Sequence, residues 1–509
     1  MSIRNKALFF GIINCISLCT LQQPIYAQSA NKPIVKTAAG YIRGVQENNC
    51  FVFKGIPYAA PPTGARRFLP PVPHTHWKDT LECVTFGSPS AQYGNNEKPV
   101  NGSEDGLFLN VYTPSISPKA KMPILIWVHG GSMVAGSGMG ENGHAFADRD
   151  SIVTVTINYR LGVFGFLYLG DLGVPYRTSG NNGLLDLIQS LKWVKENIKA
   201  LGGDPDRVTV MGESAGAKLS SALIATPLAE GLFSGVILES GGFQCIRDTT
   251  TAIGIRTRLM DKLKVKEPKD LLKLPTAQLI KAQAAVLVGA QGTNYFGPVM
   301  DGIVLQDSPY SYIDQQGKDK VHYLLGANQA ESRGFMDIDT RLYHPDTTVI
   351  RDWFGINYPH VLQSYQQRLK KTQNDTTAAM DILSEYMYKM HTYRLADRLA
   401  KNNRSTFVYR FAFTEEREPA THGGELKFVW YLPEQENYTT LEKKFGPELH
   451  KYWVNFIRNG DPGTVNNVNW PMYKSDNHSI IVLDKVTRPE QLKQIFNNPE
   501  APSACFLLN

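Results

Sequence analysis

The sequence predicts an α/β fold: a large, mostly parallel central sheet flanked by helices, with helical insertions between its core elements. Three observations lead there. Short apolar or β-branched runs recur at 124–128, 207–211, 323–325 and 406–411, each followed by a glycine-rich or polar turn. The run at 207–211 passes through Gly212-Glu213-Ser214-Ala215-Gly216 into the alanine- and leucine-rich stretch 217–225, so a buried strand turns directly into a helix. Composition agrees, since 42% hydrophobic and 20% charged residues are ordinary for a chain with a sizeable packed core.

The elements follow in chain order. Arg4 and Lys6 precede an apolar run over 7–21, and Ile25-Tyr26-Ala27 ends in a small residue. That is the pattern of a secretory signal peptide over residues 1–27, cut after Ala27 to leave a secreted or periplasmic protein with no stable membrane span. The remaining 28–509 is read as a single domain, although roughly 480 residues would by length alone suggest two or three. The reason is that the chemistry-bearing residues are spread from Gly130 to His422 and must converge.

The strand at 124–128 runs into His129-Gly130-Gly131-Ser132, whose backbone N–H groups are free to face a developing negative charge. The strand at 207–211 carries Ser214 on a sharp turn, where Gly212 and Gly216 leave the room that a nucleophile elbow requires. The N–H of Ala215, just after the serine, joins the same donor set. Segments 248–291 and 333–403 read as helical excursions that roof or line the entrance to the site. The strand from Tyr323 ends in a turn that carries Glu331, and the strand at 406–411 leads to Ala420-Thr421-His422-Gly423-Gly424. Serine, carboxylate and histidine thus follow in the order that accompanies such an elbow. Of the eleven histidines, His422 is the base candidate, and His74, His76, His144, His344, His360, His450 and His478 read as solvated or packed bystanders. Glu213, beside the serine, is expected to be buried near the site, either biasing His422 toward its charged form or only packing.

Other chemistries find no support. The net charge of +6 is mild for 509 residues and comes with no basic run or aromatic-interleaved stripe, so no nucleic-acid partner is expected. The lysines over 259–273 alternate with acids, as on a solvated helix face. No dinucleotide or phosphate-binding fingerprint occurs, and no C-x-x-C pair or histidine cluster has metal-site spacing, so neither cofactor nor metal is expected. Cys50, Cys83, Cys245 and Cys505 remain after the leader and allow three full pairings.

Several stretches carry a resemblance. Phe53-Lys54-Gly55-Ile56-Pro57-Tyr58-Ala59 with Arg67-Phe68, Glu104-Asp105-Gly106-Leu107-Phe108-Leu109-Asn110-Val111-Tyr112, Asn158-Tyr159-Arg160-Leu161-Gly162, Gly183-Leu184-Leu185-Asp186, Gly202-Gly203-Asp204-Pro205 and Pro298-Val299-Met300-Asp301-Gly302 stand in order. With the elbow they make the chain, from about residue 34 to residue 470, similar to the type-B carboxylesterases of the α/β-hydrolase fold. The resemblance implies a serine carboxylic-ester hydrolase with Ser214 as nucleophile, Glu331 as acid and His422 as base. It implies an oxyanion hole around Gly130, Gly131, Ser132 and Ala215, an ion pair between Arg67 and Glu104, and a small-molecule ester as substrate. An interfacial lipase of the same fold is the alternative, and a non-catalytic adhesion or binding module of the neuroligin kind a further one.

The chain also departs from that pattern. Ser132 stands where the family has a third glycine, which keeps the N–H but adds a side chain. Gly106 and Ser90 stand where the family has or neighbours a cysteine pair, so the loop 90–106 is expected to be looser; closing about 15 residues by a disulfide is worth about 3 kcal/mol. That loop also lacks the tryptophan with which cholinesterases hold a choline cation.

Overall fold

A computed structural model describes residues 32–287, 295–415, 419–434 and 437–492. The expected leader 1–27 and Cys505 lie outside the described residues. Among the described residues, eleven strands form the central sheet. In chain order they are β1 (Val45–Glu47), β2 (Cys50–Pro57), β3 (Phe108–Thr113), β4 (Met122–Val128), β5 (Val153–Ile157), β6 (Gly203–Glu213), β7 (Gly235–Glu239), β8 (His322–Asn328), β9 (Ser405–Phe411), β10 (Ser479–Leu483) and β11 (Arg488–Gln491). The strand order is β1-β2-β3-β5-β4-β6-β7-β8-β9-β10-β11. Every pairing from β5 through β4 and on to β10 is parallel, and antiparallel strands finish both edges.

The helices that matter here are α1 (His144–Asp150), α2 (Asn182–Asn197), α3 (Ala215–Leu223), α4 (Thr249–Leu263), α5 (Thr276–Val286), α6 (Arg333–Ile338), α7 (Thr347–Phe354), α8 (Tyr358–Thr372), α9 (Asp375–Ser384), α10 (Met390–Lys401) and α11 (Thr440–Asn459). β4 is buried at every position, which is why it reads as an unbroken apolar run instead of an alternating one. Its side chains divide between two layers. Ile124, Ile126 and Val128 pack with Leu187 and Leu191 of α2 and Leu219 of α3, whereas Leu125 and Trp127 pack with Leu449 and Trp453 of α11. Among the described residues no helix is long and apolar enough to cross a membrane.

Both insertions are helical. α4, a short 3-10 stretch and α5 occupy the described part of 248–291. The second insertion holds α6 to α9 and a π-helical turn over Glu385–Lys389, and it has an apolar core of its own around Met336, Trp353, Phe354, Ile382 and Met387. The expectation that the excursion continues to residue 403 needs correction. Tyr393, Leu395, Ala396 and Leu399 of α10 lie in the main core against the sheet, so the excursion ends before α10 begins.

The loop 90–106 is tied down without a disulfide. Gln92–Tyr93 pairs with Val100–Asn101, the Ser103 N–H donates to the Pro89 carbonyl at 2.9 Å, and Ser90 bridges Ser103. Gly106 is required there, because a Cβ on it would lie 2.7 Å from the Ser90 Cα. The expected ion pair is present as a fork. Arg67 Nε donates to Glu104 Oε2 at 2.7 Å, Nη2 donates to Oε1, and Nη1 donates to the Leu274 carbonyl at 2.7 Å, which moors the first insertion. Cys50 and Cys83 are buried thiols that are not joined to one another.

Candidate active site

Ser214 sits between the end of β6 and the start of α3 with φ +54° and ψ −118°, a conformation costing about 1–3 kcal/mol that the surroundings must impose. They impose it through backbone bonds on both sides: the Ser214 N–H donates to the Glu239 carbonyl at 2.9 Å, and the Lys218 N–H donates to the Ser214 carbonyl at 2.9 Å. The flanking glycines answer to contact. A Cβ at Gly216 would lie 1.9 Å from the Val128 carbonyl oxygen, and one at Gly212 would lie 2.5 Å from the Gly216 carbonyl carbon. The elbow reading from the sequence therefore has its steric cause in how closely α3 approaches β4 and β6.

Glu331 and His422 come from the loops after β8 and β9. Those strands are parallel neighbours, and the loops are joined beyond the sheet. The Ala330 N–H donates to the Ala420 carbonyl at 2.9 Å, and Ala330 bridges Thr421. The outcome is a continuous relay. His422 Nε2 lies 2.8 Å from Ser214 Oγ, and Nδ1 lies 2.6 Å from Glu331 Oε2. The other Glu331 oxygen is held by the Ser240 hydroxyl at 2.6 Å and the Asn328 N–H at 2.7 Å. Glu331 is fully buried. Its carboxylate is thus oriented by two donors before it meets the imidazole.

Glu213 is buried at the site, as expected. Its Oε1 lies 3.1 Å from His422 Nε2, the nitrogen that also faces Ser214. Burial pushes the imidazole toward its neutral form, but the carboxylates of Glu213, then Glu331 and Glu425, outweigh it and raise His422 to about 9. Glu213 itself is pushed up, first by burial and then by repulsion from Glu331, with His422 and Lys218 opposing. Glu425 is raised to about 8 by burial and by the charges of Glu213 and Glu331. Asn328 Nδ2 donates to Glu425 Oε2, and Trp453 Nε1 donates to Glu239 Oε1 at 2.7 Å, so a buried layer of glutamates lies beneath the histidine.

The glycine segment after β4 stands over the serine. An added Cβ at Gly130 would lie 3.3 Å from the Ser214 Cβ and 2.7 Å from Glu213 Oε2. Gly131 and Ser132 both take positive φ, +100° and +56°. The Gly131 carbonyl accepts from Val134 and Ala135, which closes the turn. His129 is stacked on Tyr159 at 4.6 Å, and its backbone carbonyl accepts from the Tyr159 hydroxyl at 3.0 Å. Ala215 opens α3, so its N–H is one of the donors a helix start leaves without an intrahelical partner. Together these groups place a serine hydroxyl, an imidazole and a buried carboxylate in one hydrogen-bonded line beside a glycine-rich turn and a helix start. Such a set can carry acyl transfer.

Four contributors were not visible as motifs. Ser240 and Asn328 orient Glu331. The Tyr388 ring lies 4.4 Å from His422 and the Phe335 ring 5.7 Å from it, and both come from the second insertion. Tyr388 belongs to the π-helical turn, a distortion common at functional sites. Lys218 Nζ lies over its ring at 4.8 Å.

A model of the carboxylesterase family matches residues 31–501. Para-nitrobenzyl esterase of Bacillus subtilis is 31% identical over 92% of this chain and 97% of its own length. Liver carboxylesterase 1 of Oryctolagus cuniculus is 30% identical over 83% of each chain. A solved carboxylesterase of Geobacillus stearothermophilus superposes with a TM-score of 0.80 at 33% identity, covering 90% of this chain and 97% of that one. A match of that extent, on a large mostly parallel sheet with flanking helices, places the chain in the carboxylesterase family of carboxylic ester hydrolases.

Proposed function

We propose that Ser214, His422 and Glu331 are the catalytic triad of a serine carboxylesterase that is exported from the cell that makes it. The observation that carries the proposal is the unbroken relay of 2.8 Å and 2.6 Å from Ser214 Oγ through the imidazole to Glu331. His422 Nε2 takes the hydroxyl proton as Oγ bonds to the carbonyl carbon of a small ester. The carbonyl oxygen becomes an oxyanion opposite the N–H groups of Gly131, Ser132 and Ala215. The imidazolium returns its proton to the departing alcohol, leaving an acyl group on Ser214. Water, activated by the same base, then releases the acid and restores the hydroxyl. Glu331 fixes the Nδ1–H tautomer throughout. Glu213 stabilises the imidazolium from the Nε2 side while charge is separated.

The test is hydrolysis of p-nitrophenyl esters from acetate to palmitate by the mature protein and its Ser214→Ala variant, with the N-terminus of the exported wild type read by mass spectrometry. The expected results are a mature chain beginning at Gln28 and a loss of about 10⁴-fold or more in the variant. Equal turnover by the variant would remove Ser214 from the mechanism, and an intact leader on the exported protein would remove the export signal.

A further inference from the structure

The sequence-based expectation of no metal rested on ligand spacing along the chain, and folding brings together a set that such spacing cannot reveal. At the start of β2 and on α1, the ligand atoms of Cys50, His144 and Asp148 lie within 4.8 Å of one another. Cys50 Sγ is 3.4 Å from His144 Nδ1, and Asp148 Oδ1 is 3.0 Å from the same nitrogen. Zinc bonds of about 2.0–2.3 Å to sulfur, nitrogen and oxygen in a tetrahedron put neighbouring ligand atoms about 3.3–3.7 Å apart. The two spacings to His144 Nδ1, 3.4 and 3.0 Å, are close to that, and a shift of under about 1.5 Å brings the third pair into the same range.

From these positions we propose that Cys50, His144 and Asp148 form a binding site for one thiophilic divalent cation of the zinc class. Tautomer control favours it. Glu47 Oε1 is held by Lys54 Nζ at 2.7 Å, which turns Oε2 toward His144 Nε2 at 3.4 Å. Without an ion, a proton on Nδ1 is shared with Asp148 Oδ1 at 3.0 Å; with the ion bound at Nδ1 the proton sits on Nε2, where Glu47 Oε2 accepts it. This carboxylate–histidine arrangement is the one by which outer carboxylates orient metal-binding imidazoles. The surroundings fit as well. Cys50 and His144 are buried beside Val52, Ala147 and the Tyr112 ring, whereas Asp148 and Glu47 are partly exposed and leave an approach from solvent. On binding, the Cys50 S–H releases its proton to solvent as the sulfur–metal bond forms, and no group changes oxidation state.

The position says what the ion would do. β2 runs in the same direction as β6, because β2 is antiparallel to β3, β3 is antiparallel to β5, and β5, β4 and β6 are parallel. Cys50 opens β2, whereas Ser214 follows the last residue of β6, so the cluster and the serine lie at opposite ends of the sheet. The ion would clip the edge hairpin to α1 and raise stability with the logarithm of its free concentration above the dissociation constant, without entering ester chemistry.

The experiment uses the tag-free full-length mature protein, stripped with chelator and titrated with CoCl2. The expected result is one equivalent of Co2+ bound, with a thiolate-to-cobalt charge-transfer band in the near ultraviolet that ZnCl2 abolishes by displacement. Cys50→Ser should lose the band while keeping full p-nitrophenyl acetate hydrolysis, and Glu47→Gln should weaken Co2+ binding by about 10–100-fold. If Cys50→Ser fails to fold, the wild-type spectrum and Glu47→Gln still decide. No charge-transfer band in the wild type at saturating Co2+, or an undiminished band in Cys50→Ser, would overturn the site and leave a hydrogen-bonded cluster.

Discussion

His422 Nε2 faces two groups at once, the Ser214 hydroxyl at 2.8 Å and the Glu213 carboxylate at 3.1 Å. A base must be neutral to accept a proton, so activity should rise with pH as His422 loses the proton that its carboxylate neighbours hold up to about 9. Replacing Glu213 by glutamine removes a negative charge and lowers the His422 pKa. In Glu213→Gln the acid limb of kcat/KM should therefore move to lower pH by about one unit or more, while the plateau falls because the imidazolium loses a partner. A pH–rate profile checks this, and an unmoved limb would reduce Glu213 to packing. Glu213 was legible in the sequence only as the neighbour of a serine, with its two possible roles undivided. The 3.1 Å contact gives the charge-biasing role a geometry that the pH–rate profile tests, and it arises from the elbow, which sets consecutive side chains of one strand end on the same histidine.

Arg160 and Asp186 show what the element scale adds. Both belong to stretches whose residues carried the family resemblance, and neither had a visible reason to be there. In the fold, the Arg160 backbone N–H and Nε donate to Asp186 Oδ2 at 3.0 and 2.8 Å, Nη2 donates to Oδ1 at 2.8 Å, and Nη1 donates to the Leu69 carbonyl at 2.7 Å. The pair ties the turn after β5 to α2, with both side chains out of solvent. Asp186→Ala should cost about 3–5 kcal/mol, because it strands a buried guanidinium. Denaturant unfolding measures this, and a loss below about 1 kcal/mol would mean that Arg160 finds other partners or water. The core strands were legible because each is a run of apolar residues buried on both faces. The second insertion was legible as helical but not as the source of Tyr388 and Phe335. No local pattern tells which residues of a roof reach the site, and α10 reads like an excursion until the sheet it covers is known.

Across the whole molecule, the convergence of Ser214, Glu331 and His422 was legible because an elbow, a turn and a glycine loop each follow a core strand. The layer of glutamates beneath them was not legible, since Glu213, Glu239, Glu331 and Glu425 come from four separate segments. That layer has a consequence for stability. Folded Glu425 holds its proton to about 8, against 4.5 for a free glutamate, and folded His422 holds its proton to about 9, against 6.5 for a free histidine. Between pH 6.5 and 8 the folded protein therefore binds more protons at both groups than the unfolded chain does, and their contribution to stability falls as pH rises. In Glu425→Gln the melting temperature should fall less than in wild type over pH 6.5 to 8; parallel curves would show that Glu425 is already ionised in the fold. Whether Ser214 is the nucleophile of this carboxylesterase is decided by stoichiometric trapping with diethyl p-nitrophenyl phosphate. In that reaction Ser214 Oγ bonds to phosphorus as p-nitrophenolate leaves. The expected result is one equivalent of p-nitrophenolate per chain, a diethylphosphoryl group on the peptide bearing Ser214, and no burst from Ser214→Ala. A burst of equal size from the variant, or a label on a different residue, would contradict it.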